Sequence, residues 1–120
     1  MKRKKQNLHL DHTISKLKKV SRDNKISLWM TVSRYLEKTK SGKVAVNIGK
    51  INKLTKSGNV TVVPGKVLGS GNIDHKLIVG GYSFSESAKA KIINAGGKAI
   101  SLEEASNSYP DGKKVKLIGG

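Results

Sequence analysis

Cysteine is absent from the 120 residues, which excludes disulfide staples and thiolate metal sites alike. Aromatic side chains are scarce, limited to Trp29, Tyr35, Tyr82, Phe84 and Tyr109. Tyr82 and Phe84 are two apart but lie beyond the strand expected over Leu77–Val79, and the other three are scattered, which disfavours modules that read single strands by stacking bases. No apolar run approaches the ~20 residues needed to cross a bilayer, so no membrane partner is expected. The start, Met1-Lys2-Arg3-Lys4-Lys5, is charged but no apolar segment follows it, so it is not a secretory signal. A cytoplasmic location is the expectation. Apolar residues make up 36% of the chain, below the roughly 45–50% of average globular proteins, a figure that also counts glycine. One small core is predicted.

Acidic residues are the other shortage. Eight Asp and Glu face 24 Lys and Arg, a formal net charge of +16. Repulsion of that size opposes compaction unless a polyanion neutralises it. Residues 1–73 hold 17 of the cations against Asp11, Asp23 and Glu37, whereas residues 74–120 hold seven against five acids. This distribution assigns the polyanion surface mainly to the first half. Arginine stands only at positions 3, 22 and 34. Lysine meets phosphate as a mobile point charge, while bidentate reading of base edges prefers arginine. Shape and backbone recognition of folded RNA is therefore expected, with strong salt dependence. Charge alone does not separate this from an architectural DNA-binding role.

Residues 1–12 lack periodicity and read as a basic arm, followed by a single domain over 13–120. A helical segment is expected over 13–39. Thr13 is a candidate N-cap for a first helix with Ile14, Leu17 and Val20 or Ser21 on one stripe. Asp23-Asn24 ends it. A second helix from Ile26 to about Lys38 carries Leu28, Val32, Tyr35 and Leu36 on one face, with Trp29 read as core. Over 44–120 short strands alternate with short helices, an α/β pattern. Val44, Val46 and Ile48 alternate, Asn47 is a candidate cap for a turn bearing Lys50 and Lys53, and Val60-Thr61-Val62-Val63 is β-branched. Pro64-Gly65 suits a type II turn, which would leave Lys66-Val67-Leu68 as a separate strand. Leu77-Ile78-Val79 is expected to end at Gly80-Gly81. Ser83 and Glu86, and likewise Ser101 and Glu104, have capping-box spacing. Gly96-Gly97 stops a helix, Tyr109-Pro110-Asp111-Gly112 forms a turn, and Val115, Leu117 and Ile118 form a last strand.

No catalytic constellation emerges. Gly69-Ser70-Gly71 and Gly80-Gly81 have the look of phosphate cradles, yet neither completes a dinucleotide fingerprint. Gly42-Lys43 is followed by Val44, which offers no hydroxyl to Mg²⁺. Those loops are expected to be turns whose amides at most touch RNA phosphates. His9 and His12 lie on a basic stretch that opposes cation capture, so no metal, cofactor or small-molecule substrate is expected and the chain is not read as an enzyme. The residues assigned to RNA are Lys2, Arg3, Lys4 and Lys5 in the arm, His9, Lys18, Lys19 and Arg22 in the helical segment, and Lys40, Lys43, Lys50, Lys53 and Lys66 in the folded body.

The stretch Val62-Val63-Pro64-Gly65-Lys66-Val67-Leu68-Gly69-Ser70-Gly71 resembles the core of the archaeal and eukaryotic large-subunit ribosomal protein L-eighteen-e family, related to bacterial protein L-fifteen. Leu28-Trp29, Val46-Asn47-Ile48-Gly49-Lys50-Ile51, Phe84-Ser85-Glu86-Ser87-Ala88 and Ala95-Gly96-Gly97-Lys98 extend the resemblance in order and spacing over nearly the whole chain. Departures occur at Gly80-Gly81, where the family often has Ala-Ala, between Thr39 and Val44, and at Tyr109, where Asn is usual. The resemblance implies an irregular stack of β-β-α turns behind an N-terminal helical segment. It also implies assembly with 23S-type rRNA and neighbouring large-subunit ribosomal proteins.

Overall fold

The computed structural model describes residues 8–39 and 44–119. Helix α1 (Leu8–Asn24) begins five residues before Thr13. Leu10 and Leu17 are buried, and with half-buried Ile14 they form one stripe, so the apolar periodicity starts a turn earlier than the cap signal suggested. Thr13 lies inside the helix, where its hydroxyl donates to Glu103 at 2.7 Å. Helix α2 (Leu28–Thr39) follows a tight connection in which the Ser21 hydroxyl donates to the Ile26 carbonyl. It buries Trp29, Val32 and Leu36.

Strand β1 (Ala45–Asn47) runs into helix α3 (Ile48–Leu54), which buries Ile48 and Ile51. Asn47 occupies the cap position, but its side chain does not cap the helix. It accepts instead from the Ser70 amide at 3.2 Å. Strand β2 (Val60–Leu68) passes without reversal through Pro64-Gly65. No type II turn forms there. The register against β3 shifts between Val63 and Lys66, and a bulge tolerates the missing N–H of proline. Gly65 is required because a Cβ would lie 2.2 Å from the Val44 carbonyl oxygen. That carbonyl accepts from the Lys66 amide at 2.9 Å.

Strand β3 (Ile78–Phe84) likewise continues through Gly80-Gly81, because both glycines pair with β2 and with β4 (Lys98–Ser101). Helix α4 (Glu86–Asn94) is capped by Ser85, whose hydroxyl accepts from the Ala88 amide at 3.1 Å. Ser83 remains in the strand. Ser101 caps helix α5 (Leu102–Ser108) as its spacing predicts, accepting from the Glu104 amide at 3.0 Å. Strand β5 (Val115–Leu117) is the last element.

All five strands are parallel, in the order β1-β2-β3-β4, with β5 also on β2. Two short strands share one edge of β2: β5 takes Val60–Val62 and β1 takes Lys66–Leu68. Helices α3 and α4 cover one face over Val46, Val63, Val67 and Val79. Helices α1, α2 and α5 cover the other over Val62, Tyr82, Ile100, Val115 and Leu117. The result is an α/β architecture of three layers, and helices on both faces are what buries an all-parallel sheet.

Candidate nucleic-acid interface

Lys50 and Lys53 are three residues apart on α3, opposite Ile48 and Ile51. Lys50 is exposed, as is Lys53. Helical geometry therefore places them side by side on its outer surface. Lys66 is exposed on β2, level with Ala45 and Ser83. Its neighbour Val67 is buried under α3 and α4, so strand alternation turns Lys66 to the opposite face of the sheet. The three lysines thus flank edge strand β1 from both sides. On α1, Lys18 is partly buried and its ammonium donates to Glu37 at 2.8 Å, tying α1 to α2. Lys19 pairs with Asp23 at 3.0 Å along the same helix, and Arg22 is exposed in its last turn. The assigned Lys2, Arg3, Lys4, Lys5, Lys40 and Lys43 lie outside the described residues.

His9 packs its ring against Tyr82 with centroids 5.4 Å apart. His12 has its Nδ1 3.2 Å from Glu103, and both rings line one small cavity with Tyr82 and Glu103. Burial acts most strongly on the Glu103 carboxyl and pushes its pKa up. The donors Thr13 and His12 outweigh that and hold it below the ordinary 4.5. A carboxylate stabilised in this way supports the fold above pH 4.5, and the support is lost as pH falls through the lowered value. Glu103→Gln is expected to flatten the decline of melting temperature below about pH 4.5, measured by circular dichroism from pH 6 to 3. An equally steep decline in the variant would show that this carboxylate does not link α1 to α5.

The glycine loops do not offer open phosphate cradles. The Ser70 amide is occupied by Asn47, its carbonyl accepts from the Gly49 amide at 3.0 Å, and Lys91 donates to the carbonyls of both Gly69 and Gly71 at 2.9 Å. Gly71 has φ +97° and touches Gly49 so closely that a Cβ would fall 2.6 Å from its Cα. The loop therefore packs backbone on backbone. Gly80 and Gly81 are buried in a strand.

One hydroxyl–imidazole–carboxylate chain exists: Thr55 Oγ1 is 2.8 Å from His75 Nε2, and His75 Nδ1 is 3.0 Å from Asp74. Thr55 is buried, however, and its hydroxyl donates to the Ile51 carbonyl at 2.7 Å. A hydroxyl turned into a helix end cannot attack a substrate. The chain clasps the end of α3.

A further group of cations was outside the sequence assignment. In register, Val115, Val60, Ile78 and Lys98 form the first row across the sheet. Lys113 and Lys114 precede the first of these and Lys76 the third, while Lys56 sits in the turn before the second. Backbone bonds knit these loops together, from the Gly58 amide to the Lys76 carbonyl at 2.7 Å and from the Asn59 amide to the Lys56 carbonyl at 3.0 Å. Lys116 reaches the Leu54 carbonyl at 2.7 Å. Glu86, Glu103 and Glu104 instead occupy the first turns of α4 and α5, at the carboxyl edge, where helix dipoles favour acids. Folding therefore gathers at one sheet edge Lys56, Lys76, Lys98, Lys113 and Lys114, which are scattered along the sequence. The run Lys113-Lys114-x-Lys116 just after a turn was the available signal.

The family model describing the ribosomal proteins 50S-L15 and 50S-L18e, together with their 60S counterpart, matches residues 13–100. The large ribosomal subunit protein eL18 of Sulfurisphaera tokodaii is 50% identical over 93 residues, 78% of this chain and 79% of that protein. Its counterpart in Sulfolobus acidocaldarius is 41% identical over 120 residues, 98% of each. That of Pyrobaculum aerophilum is 39% identical over 102 residues, 85% of this chain and 84% of the relative. With the family model matching residues 13–100 and these relatives 39–50% identical over most of their length, this chain belongs to the ribosomal protein family of 50S-L15 and 50S-L18e.

Proposed function

We propose that this protein, a structural constituent of the large ribosomal subunit and not an enzyme, binds and stabilises folded 23S-type rRNA through lysines. In the cytoplasm, within the ribosome, Lys50, Lys53 and Lys66 beside β1 would meet phosphates together with Lys40, Lys43 and the arm Lys2, Arg3, Lys4 and Lys5. Arg22 would extend this contact along α1. Lys18 and Lys19 already hold carboxylates, so they would contribute less. Neighbouring large-subunit proteins are the other expected partners.

The observation that carries the reading is the net charge of +16 on a body whose described lysines are mostly exposed. A polyphosphate cancels their repulsion and releases condensed counterions as it does so. The decisive experiment is competition at physiological salt between a large-subunit rRNA fragment and duplex DNA of equal length. Preferential retention of the rRNA is expected. Equal competition by the duplex would favour a general architectural role, and failure to bind the rRNA at low ionic strength would overturn the reading.

A further inference from the structure

We propose that the amino edge of the parallel sheet is a second RNA-backbone site, separate from the lysines beside β1. The proposal rests on the RNA-binding reading above and adds a location that the charge distribution along the sequence does not indicate. At this edge an open groove of about 730 Å³ is lined by Gly58, Asn59, Tyr109, Lys113, Lys114 and Lys116, with Val60 and Val115 as its apolar wall. Lys56, Lys76 and Lys98 stand on the same edge and are exposed. The acids near this edge are Asp74, which faces His75, and Asp111, whose carboxylate accepts from the Lys113 amide at 3.1 Å. Cations therefore dominate, and they follow the strand starts as a row.

Backbone geometry shows how Lys114 is presented at this edge. Among the described residues two non-glycines have positive φ, Lys25 at 55°, where the Ile26 amide closes the end of α1 on the Ser21 carbonyl at 3.2 Å, and Lys114 at 63°. Lysine has no short polar side chain to offset the left-handed conformation, so Asn or Gly would fit better at either position. At Lys114 the left-handed backbone forms the turn closed by the Val115 amide on the Gly112 carbonyl at 3.3 Å, and that turn sets the lysine on the wall of the groove. A sugar–phosphate strand fits this row better than a compact anion, because the charges are spread along an edge and do not converge on one point.

The double variant Lys113→Gln with Lys114→Gly tests this, because the glycine removes strain and charge together. Its melting temperature should match or exceed the parent's. The slope of log K against log salt for the rRNA fragment should become shallower by about 1.4–1.8, from roughly 0.7–0.9 per phosphate contact. A second variant, Lys76→Gln with Lys98→Gln, should have a similar effect from the exposed rim. If the parent binds rRNA and both variants keep its slope, the amino-edge site is wrong while the RNA reading stands. If the parent does not bind rRNA, both fail. Loss of polyglutamate binding with rRNA binding unchanged would make the edge a docking surface for an acidic protein, and that too would overturn the proposal.

Discussion

Trp29→Ala is expected to lower stability by about 3–5 kcal/mol, the usual cost of emptying a buried tryptophan site. The indole is fully buried between α1, α2 and the sheet. Its N–H donates to the Tyr109 carbonyl at 3.1 Å, across 80 residues of sequence. Truncation therefore leaves a cavity and strips a partner from the residue that ends α5. For a chain of this size the melting temperature should fall by roughly 10–20 °C. Trp29→Phe separates the two contributions, since it keeps most of the ring volume and loses only the donor. About 0.5–1.5 kcal/mol is expected for the lost hydrogen bond, because the Tyr109 carbonyl keeps the Gly112 amide as a donor. Thermal and urea unfolding would measure both variants. A Trp29→Ala protein that melted within a degree or two of the parent would mean that α2 is not anchored through this contact.

The same hydrogen bond joins the fold to the candidate surface, because Tyr109 lines the amino-edge groove. Trp29 holds the carbonyl of Tyr109 from below, and the turn that follows begins with the Gly112 amide donating back to it at 3.0 Å. One carbonyl thus receives both the buried indole and the exposed turn that presents Lys113 and Lys114. Helix packing in the first third of the chain fixes the position of lysines in the last tenth.

The sequence showed some of this and hid the rest for identifiable reasons. Helix α2, the Ser101 cap, the stop at Gly96 and the turn before β5 are local events, encoded by periodicity, a hydroxyl, and residues that tolerate unusual φ. Those expectations match the structure. The expected turn at Pro64-Gly65 does not, because the carbonyl of Val44, some twenty residues away, approaches this backbone and holds it extended. Turn chemistry lost to tertiary pairing. Strand β4 was missed since Lys98-Ala99-Ile100-Ser101 has too little apolar sequence to announce itself. Its pairing with β3 defines it. The amino-edge lysines escaped because charge was read along the chain, whereas a parallel sheet gathers every strand start at one edge and every following helix start at the other. The resemblance to ribosomal proteins was carried largely by glycine-rich blocks. In the structure those glycines permit backbone contact, so the blocks identify the fold more directly than they identify an RNA contact.

Replacing Lys40, Lys43, Lys50 and Lys53 together by glutamine should produce the largest change in RNA binding. If all four meet phosphate, the magnitude of the salt slope should drop by about 2.8–3.6, at roughly 0.7–0.9 per contact. The fold should survive. Lys50 and Lys53 lie on the side of α3 opposite its buried isoleucines, and glutamine is nearly as good a helix former as lysine. A melting temperature close to the parent's is therefore part of the expectation and guards against mistaking unfolding for lost affinity. The slope is the better readout than affinity at one salt concentration, because only the slope counts ions released and it is insensitive to losses of packing or hydrogen bonding. A weaker affinity with an unchanged slope would mean that the lysines shape the surface without touching phosphate. An unchanged affinity and slope would move the RNA contact away from β1 altogether, and the variants at the amino edge would then test the next candidate surface.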